Sequence, residues 1–284
     1  MKAWQFAARN GQAAQLIRLP FPSLHRDGGW IDPMPYRLQA SGELPMPKQN
    51  LSQSSGLRTI RLSDGDHPDL FAGDCHTLNF VIAGTLSFSG SDGAATILEP
   101  GDILLASGAA DAVAQAAGVC RLVQLGVGAE WPGSDAELQD SGAVMPRPGT
   151  EPSLRRMDKQ ADDRTWFSGL ANLFPDRADT WSTVTPVLGF RFLRFSDQAL
   201  IDWHPEVVNN LAIFLSGDME IEIGGGANDG GPIPIDHFRA GDILLAADRT
   251  GEGHIDRMHG IIHLALIVIE DQYLWPIKTE KGAL

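Results

Sequence analysis

Cysteine is nearly absent: Cys75 and Cys120 are the only two in 284 residues. No Cys-x-x-Cys pair exists, which excludes the usual thiolate zinc site. Two thiols in a chain of this size do not make a secreted disulfide framework, and a reduced, buried pair in a cytoplasmic protein is the expected arrangement. Long apolar runs are also missing. No stretch nears the ~20 residues of a membrane helix, and Met1-Lys2-Ala3-Trp4-Gln5 opens no apolar run with a small-residue cleavage site, so neither a span nor a signal peptide is expected. Positive charge is scarce: 22 Lys and Arg stand against 36 Asp and Glu, a net charge of -14. Such a chain repels phosphate backbones and anionic lipid, so nucleic acid and membranes are not expected partners. Net charge does not set the sign of one pocket, so a small-molecule ligand of either sign remains open. The glycine run Gly224-Gly225-Gly226 lacks the Lys-Ser/Thr of a phosphate loop. No Gly-x-Ser-x-Gly elbow supports acyl transfer, and no helix-turn-helix or basic stretch supports a regulator.

What is present is a soluble, turn-rich composition: 43% hydrophobic, 20% charged, 31 Gly and 18 Pro. The length allows two domains of ordinary size. A repeat runs through them. With Gly56 set on Gly189 and no gap, Arg58 meets Arg191, Arg61 meets Arg194, Ser63-Asp64 meets Ser196-Asp197, Asp69 meets Asp202, Leu78 meets Leu211 and Gly84 meets Gly217. The string Gly-Asp-Ile-Leu-Leu-Ala then occurs twice, starting at Gly101 and at Gly241, the second copy reached through a loop seven residues longer. Matched blocks in the same order mark a duplicated unit.

Each copy reads as strands. Leu78 to Ile82, a glycine turn, and Leu86 to Phe88 match Leu211 to Leu215, Gly217, and Met219 to Ile223, where apolar and charged residues alternate. Pro100-Gly101-Asp102 and Ala240-Gly241-Asp242 are turns, and closing strands follow at 120–127 and 261–269. Many short strands punctuated by turns predict a sandwich or barrel. Residues 129–151 read as a linker, 153–174 as one or two short connecting helices packed through Leu154, Met157, Trp166, Leu170 and Leu173, and 1–55 as a mostly irregular arm. The expected division is an N-terminal barrel over 1–135 and a C-terminal barrel over 136–284.

These features resemble the cupin superfamily, whose first motif is His-x-His, a Glu four residues after the second His and a Gly seven later. Its second motif opens on Pro-x-Gly-Asp or similar and delivers a further His. The resemblance implies two tandem jelly-roll barrels, all-β, with a divalent metal held by the His and Glu positions. Counting back from Gly217 puts Asn210 at the Glu position, and Glu206 and His204 at the two His positions. Beyond Gly241 the counted position is Glu252, with His254 two further on. Trp203-His204-Pro205, followed by Thr250-Gly251-Glu252-Gly253-His254 and Arg257, is similar to a subgroup of small bacterial cupin-like proteins. In the first repeat the same positions are Phe71, Gly73, Thr77 and the neighbourhood of Ala114, none a metal ligand, so that barrel is expected to be inert.

The metal set implied is therefore His204, Glu206 and His254, two imidazoles and a carboxylate as in non-haem iron(II) sites; iron, zinc or manganese would fit. Trp203, Asn210 and Arg257 are placed as substrate contacts, with Arg257 open between a bidentate fork to a substrate carboxylate and a surface salt bridge. This pattern predicts a metal-dependent oxygenase or isomerase. The alternative is a metal-free bicupin that binds a small molecule or serves as structure, with His204 only capping a strand. His259 and His263 read as a core or surface pair, Glu220 and Glu222 as solvated charges, His237 as solvated, and His25 and His67 carry no pattern. A homodimer, or a monomer whose two barrels pair internally, would cover the exposed sheet edges.

Overall fold

The computed structural model describes residues 3–7, 15–19, 54–70, 76–89, 95–106, 113–127, 151–159, 164–224 and 233–278. Cys75, His25, Phe71 and Gly73 lie outside them. The regular elements among the described residues are strands, apart from one 3-10 turn at Asp271–Tyr273. No helix among them is long and apolar enough to cross a membrane.

The first sheet is built from β1 (Ala3–Ala7), β2 (Gln15–Leu19), β3 (Ser54–Leu62), β4 (His76–Ser89), β5 (Ala95–Leu98), β6 (Ile103–Ala106) and β7 (Val113–Val127). The second repeats this with β8 (Leu154–Lys159), β9 (Thr165–Leu170), β11 (Gly189–Phe195), β13 (Asn209–Ile223), β14 (Ile235–Arg239), β15 (Ile243–Ala246) and β16 (His254–Ile269). It adds β12 (Leu200–His204) and β17 (Ile277–Lys278), while β10 (Thr180–Trp181) crosses over to join the first sheet. The orders are β10-β3-β7-β4-β6-β1-β2 and β11-β16-β13-β15-β8-β9-β17, with β5 on β4, β14 on β13 and β12 on β16. The match between β3-β7-β4-β6-β1-β2 and β11-β16-β13-β15-β8-β9 is strand for strand. This is the all-β, two-barrel arrangement that the repeat predicts.

Two sequence expectations need correction. Residues 153–174 form no helix: β8 and β9 are an antiparallel pair, with β8 running parallel to β15. Locally, Leu154 and Met157 satisfy a helical spacing, but the open edge of β15 supplies ladder hydrogen bonds that a helix there would leave unmade. The N-terminal arm likewise contains the equivalent pair: β1 pairs with β2 antiparallel and with β6 in parallel.

Alternation along the long strands sorts side chains into three cores. Leu78, Phe80 and Ile82 of β4, with Leu211, Ile213 and Leu215 of β13, belong to one apolar cluster shared by both repeats. Phe80 meets Phe192 across it at 6.3 Å between ring centroids. The opposite faces fill the barrels: Leu86, Phe88 and Leu122 in the first, Phe214, Ile221 and Phe238 in the second. The twin Gly-Asp turns serve this shared core. A Cβ on Gly101 would stand 2.4 Å from the carbonyl oxygen of Leu215, and one on Gly241 2.4 Å from that of Ile82; both have φ near +90°. Only glycine allows each repeat's turn to press on the other repeat's strand. The aspartates close the turns: Asp102 accepts the Glu99 N–H at 3.0 Å, and Asp242 accepts those of Arg239 at 2.7 Å and Ser153 at 2.6 Å.

Candidate metal centre

The second barrel is hollow where the first is filled. In the first, Gln124 Nε2 donates to Asn79 Oδ1 at 2.7 Å and to the Leu70 carbonyl at 3.1 Å. Asn79 Nδ2 donates to Thr77 Oγ1 at 3.2 Å and to the Leu104 carbonyl at 3.2 Å, and Arg58 Nε donates to Gln124 Oε1 at 2.6 Å. In the second barrel the strand registers put Asn210, Ala212, Leu266 and Arg191 where Thr77, Asn79, Gln124 and Arg58 stand. Two amides have become aliphatic, and a cavity of about 110 Å³ results.

At one part of its wall lies a cluster of titratable side chains. β12 runs against β16, pairing Ile201 with Asp256 and His204 with His254. The imidazoles of His204 and His254 are 4.3 Å apart between centroids. His204 Nδ1 lies 2.8 Å from the Asp202 carbonyl oxygen, and donating there leaves Nε2 bare. His254 Nδ1 lies 2.9 Å from Asp248 Oδ2, which likewise turns Nε2 inward. Asp256 sits between, Oδ2 3.8 Å from His204 Nε2 and Oδ1 3.7 Å from His254 Nε2. Gly253 permits the approach: its φ is +76°, and a Cβ there would stand 2.2 Å from the His204 carbonyl oxygen.

Burial and neighbouring charge oppose each other here. Burial disfavours charge on His254, but Asp256 and Asp248 outweigh it and raise its pKa to about 9. His204 is lowered by burial and by His254, and burial raises Asp256. Burial also pushes Glu206 up to about 7.

The donor set fits a divalent ion. Ligand atoms of His204, His254 and Asp256 all lie within 4.8 Å of one another. The 3.7 and 3.8 Å separations are too long for hydrogen bonds, yet within a few tenths of an ångström of the roughly 3.0–3.5 Å between ligands that share one ion at about 2.0–2.2 Å. Asp256 Oδ1 and Asp248 Oδ1 are buried with no hydrogen-bond partner. A buried carboxylate oxygen with no hydrogen-bond partner, beside two inward-facing imidazole nitrogens, is what a cation would resolve, displacing the His254 proton as it binds. Asp248 behind His254 has the carboxylate–histidine arrangement that orients metal ligands.

The sequence-predicted residues are only partly brought together. His204 and His254 meet. Glu206 lines the cavity but accepts Asn210 Nδ2 at 2.7 Å, outside the three-residue cluster. Glu206 lies past the end of β12 at His204, yet it lines the same cavity as His204 and His254, as the count from Gly217 expects. The cluster's carboxylate is Asp256. Asn210 lines the cavity. Arg257 points away from it, paired with Glu220 at 3.0 Å and Glu222 at 2.5 Å, and Trp203 is 46% exposed, outside the lining. These two glutamates are thus ion-paired rather than merely solvated. Asp256, Asp248 and Arg191 enter the site from the structure alone. The signal for Asp256 was its spacing: His254, Asp256 and Met258 share one face of a strand. His259 and His263 separate, His259 half-exposed near Glu220 and His263 buried, its Nδ1 2.7 Å from Ser216 Oγ. In the first repeat, Ala114 pairs with Phe88 in the register that Asp256 holds with Ile221.

No protein-family model matches the chain, and no curated protein matches it. Among solved structures it is similar to a cupin 2 conserved barrel domain protein from Leptotrichia buccalis, at 11% identity over 78% of this chain and 88% of that one, TM-score 0.40. It is similar to a putative glyoxylate-induced protein from Pseudomonas aeruginosa, 13% over 80% and 79%, TM-score 0.34. It is also similar to oxalate decarboxylase from Bacillus subtilis, 14% over 78% and 71%, TM-score 0.27. None of these likenesses bears on activity, and the fold stands on the strand order and the internal repeat. The chain is an all-β protein of two repeated barrels, its first barrel filled by amides and its second hollow beside a histidine–aspartate cluster.

Proposed function

We propose that the second barrel binds a divalent metal through His204, His254 and Asp256, and that the protein is a metal-dependent enzyme, an oxygenase or isomerase, acting on a small molecule in the adjoining cavity. The observation that carries this is the convergence of two Nε2 atoms and a buried Asp256 oxygen with no hydrogen-bond partner. Two imidazoles and one carboxylate suit iron(II), and zinc or manganese accept the same donors while leaving positions open. When bound, such an ion polarises a substrate oxygen or activates dioxygen. The chain's own side chains divide the remaining work. Asp248 and the Asp202 carbonyl fix the two rings by their Nδ1 atoms. Asn210 holds the Glu206 carboxyl in the wall, where it orients a polar group of the substrate. The aliphatic wall excludes water.

Elemental analysis of protein purified without added metal tests this, with His254→Ala alongside. Near-stoichiometric metal in the parent and a drop of at least tenfold in affinity in the variant support it; a parent that neither carries nor takes up metal overturns it. That second outcome favours a non-catalytic small-molecule binder, for which one observation speaks: His254 lies between Asp248 and Asp256 at 2.9 and 3.7 Å, an arrangement a protonated imidazole also satisfies.

A further inference from the structure

The chemistry of the cavity wall narrows what enters it. Aliphatic and aromatic side chains dominate, among them Leu193, Phe195, Val207, Phe214, Met219 and Leu266. Polyhydroxylated molecules such as sugars would leave hydroxyl groups unpaired against such a wall. A compact diacid would place a second charge on it. Polar groups in the lining are few: the metal cluster, Glu206 with Asn210, and Arg191, the one Arg or Lys there. The volume sets a size. About 110 Å³ is somewhat less than the roughly 150 Å³ of an apolar cavity that accepts benzene, which limits the buried body to roughly five or six non-hydrogen atoms.

We propose that the ligand is a small monoanion with a branched or ring-shaped apolar body, its acidic head answered by the metal and its body packed on the aliphatic wall. The substrate class deepens the metal reading and rests on it for the head, whereas the body rests on the cavity alone. The first barrel shows what closes such a space: Asn79 and Gln124 occupy it with a hydrogen-bonded pair of amides, at the positions of Ala212 and Leu266.

The experiment is a calorimetric series on the full chain loaded with zinc, using acetate, isobutyrate, isovalerate and cyclohexanecarboxylate, with oxalate and 3-methylbutanol as controls. Each added methylene buried is worth about a fourfold gain in affinity, so binding should tighten stepwise from acetate to isovalerate and level off once the cavity is full. Oxalate and the alcohol should bind at least tenfold more weakly than isovalerate. Ala212→Asn with Leu266→Gln, and independently Leu266→Phe, should abolish isovalerate binding while zinc content holds. If affinity is independent of chain length, or oxalate binds as tightly as isovalerate, the proposal is overturned. If the protein takes up no zinc, the metal reading falls, and the same series on zinc-free protein still decides the cavity. A surviving chain-length ladder there retains the apolar body, and a flat one removes it.

Discussion

The two barrels carry nearly the same scaffold and differ at a few inward positions. In the first, Thr77, Asn79 and Gln124 saturate one another with hydrogen bonds, and Ala114 stands where the second barrel has Asp256. In the second, the amides are replaced by Ala212 and Leu266, and the polar groups have moved to the His204–His254–Asp256 wall. A barrel interior is a fixed volume, and it can be closed by satisfied amides or left open with polar groups awaiting a partner. A neutral, fully bonded network contributes stability, whereas a half-satisfied one costs it. The difference between an inert and a competent barrel is therefore a difference in who completes the hydrogen bonding and charge balance, the protein or a ligand.

That comparison assumes the barrels share one folding unit, and its largest test is Phe80→Ala. Phe80 is fully buried in the common cluster and faces Phe192 of the other repeat. The loss should be about 3–5 kcal/mol, with both barrels unfolding in one calorimetric transition. Two separate transitions, with the second barrel's unchanged, would break the comparison.

A second test uses a position at which the repeats differ. His263 in the second barrel occupies the register of Arg121 in the first. Burial, with Arg194 nearby, lowers its pKa to about 4. The folded state therefore keeps it neutral, while the unfolded chain protonates it near pH 6.5. Its contribution is fully present above about pH 6.5 and is lost progressively as pH falls toward 4, roughly 3 kcal/mol in all. Urea titrations of the parent and His263→Gln between pH 7 and 4 check the sign. The variant should show a flatter pH dependence over that window.

The smallest effect is expected inside the filled barrel. Asn79→Ala removes the acceptor of Gln124 Nε2 and the donor to Thr77, at a cost of about 1–3 kcal/mol. Adding Gln124→Leu should cost less than the sum of the two single changes, because the amide left unpaired is then gone. Full additivity in a double-mutant cycle would show that the pair is not a coupled plug.

Much of this organisation was legible in the sequence, and the exceptions have physical reasons. The repeat could be read because a twice-used turn needs the same glycine and aspartate both times. His204 and His254 could be found by counting from such turns. Arg257 is instructive: once His254 faces inward, period two turns Arg257 outward, so its place followed from parity. Glu206 reaches the expected cavity although the strand has ended before Pro205, and there its carboxyl accepts from Asn210. Asp256 carries no motif of its own, and its role depends on β12 lying beside β16. The β8–β9 pair was obscured by the same kind of non-local information. The partner that makes β8 a strand is β15, about 90 residues further along, and short segments with apolar residues three apart look helical until that edge is known.

The parallel pairing of the first strand in each repeat also sets a timetable. β1 docks on β6, with Ala3 opposite Ile103, so its partner is about 100 residues away in the chain. At roughly 5–20 residues per second of synthesis, that is about 5–20 s during which β1 waits for β6. The first sheet then waits further, since β10 at Thr180–Trp181 completes its outer edge. A nascent chain of this design passes through a period with an open strand edge, the state in which edge-to-edge aggregation competes with folding.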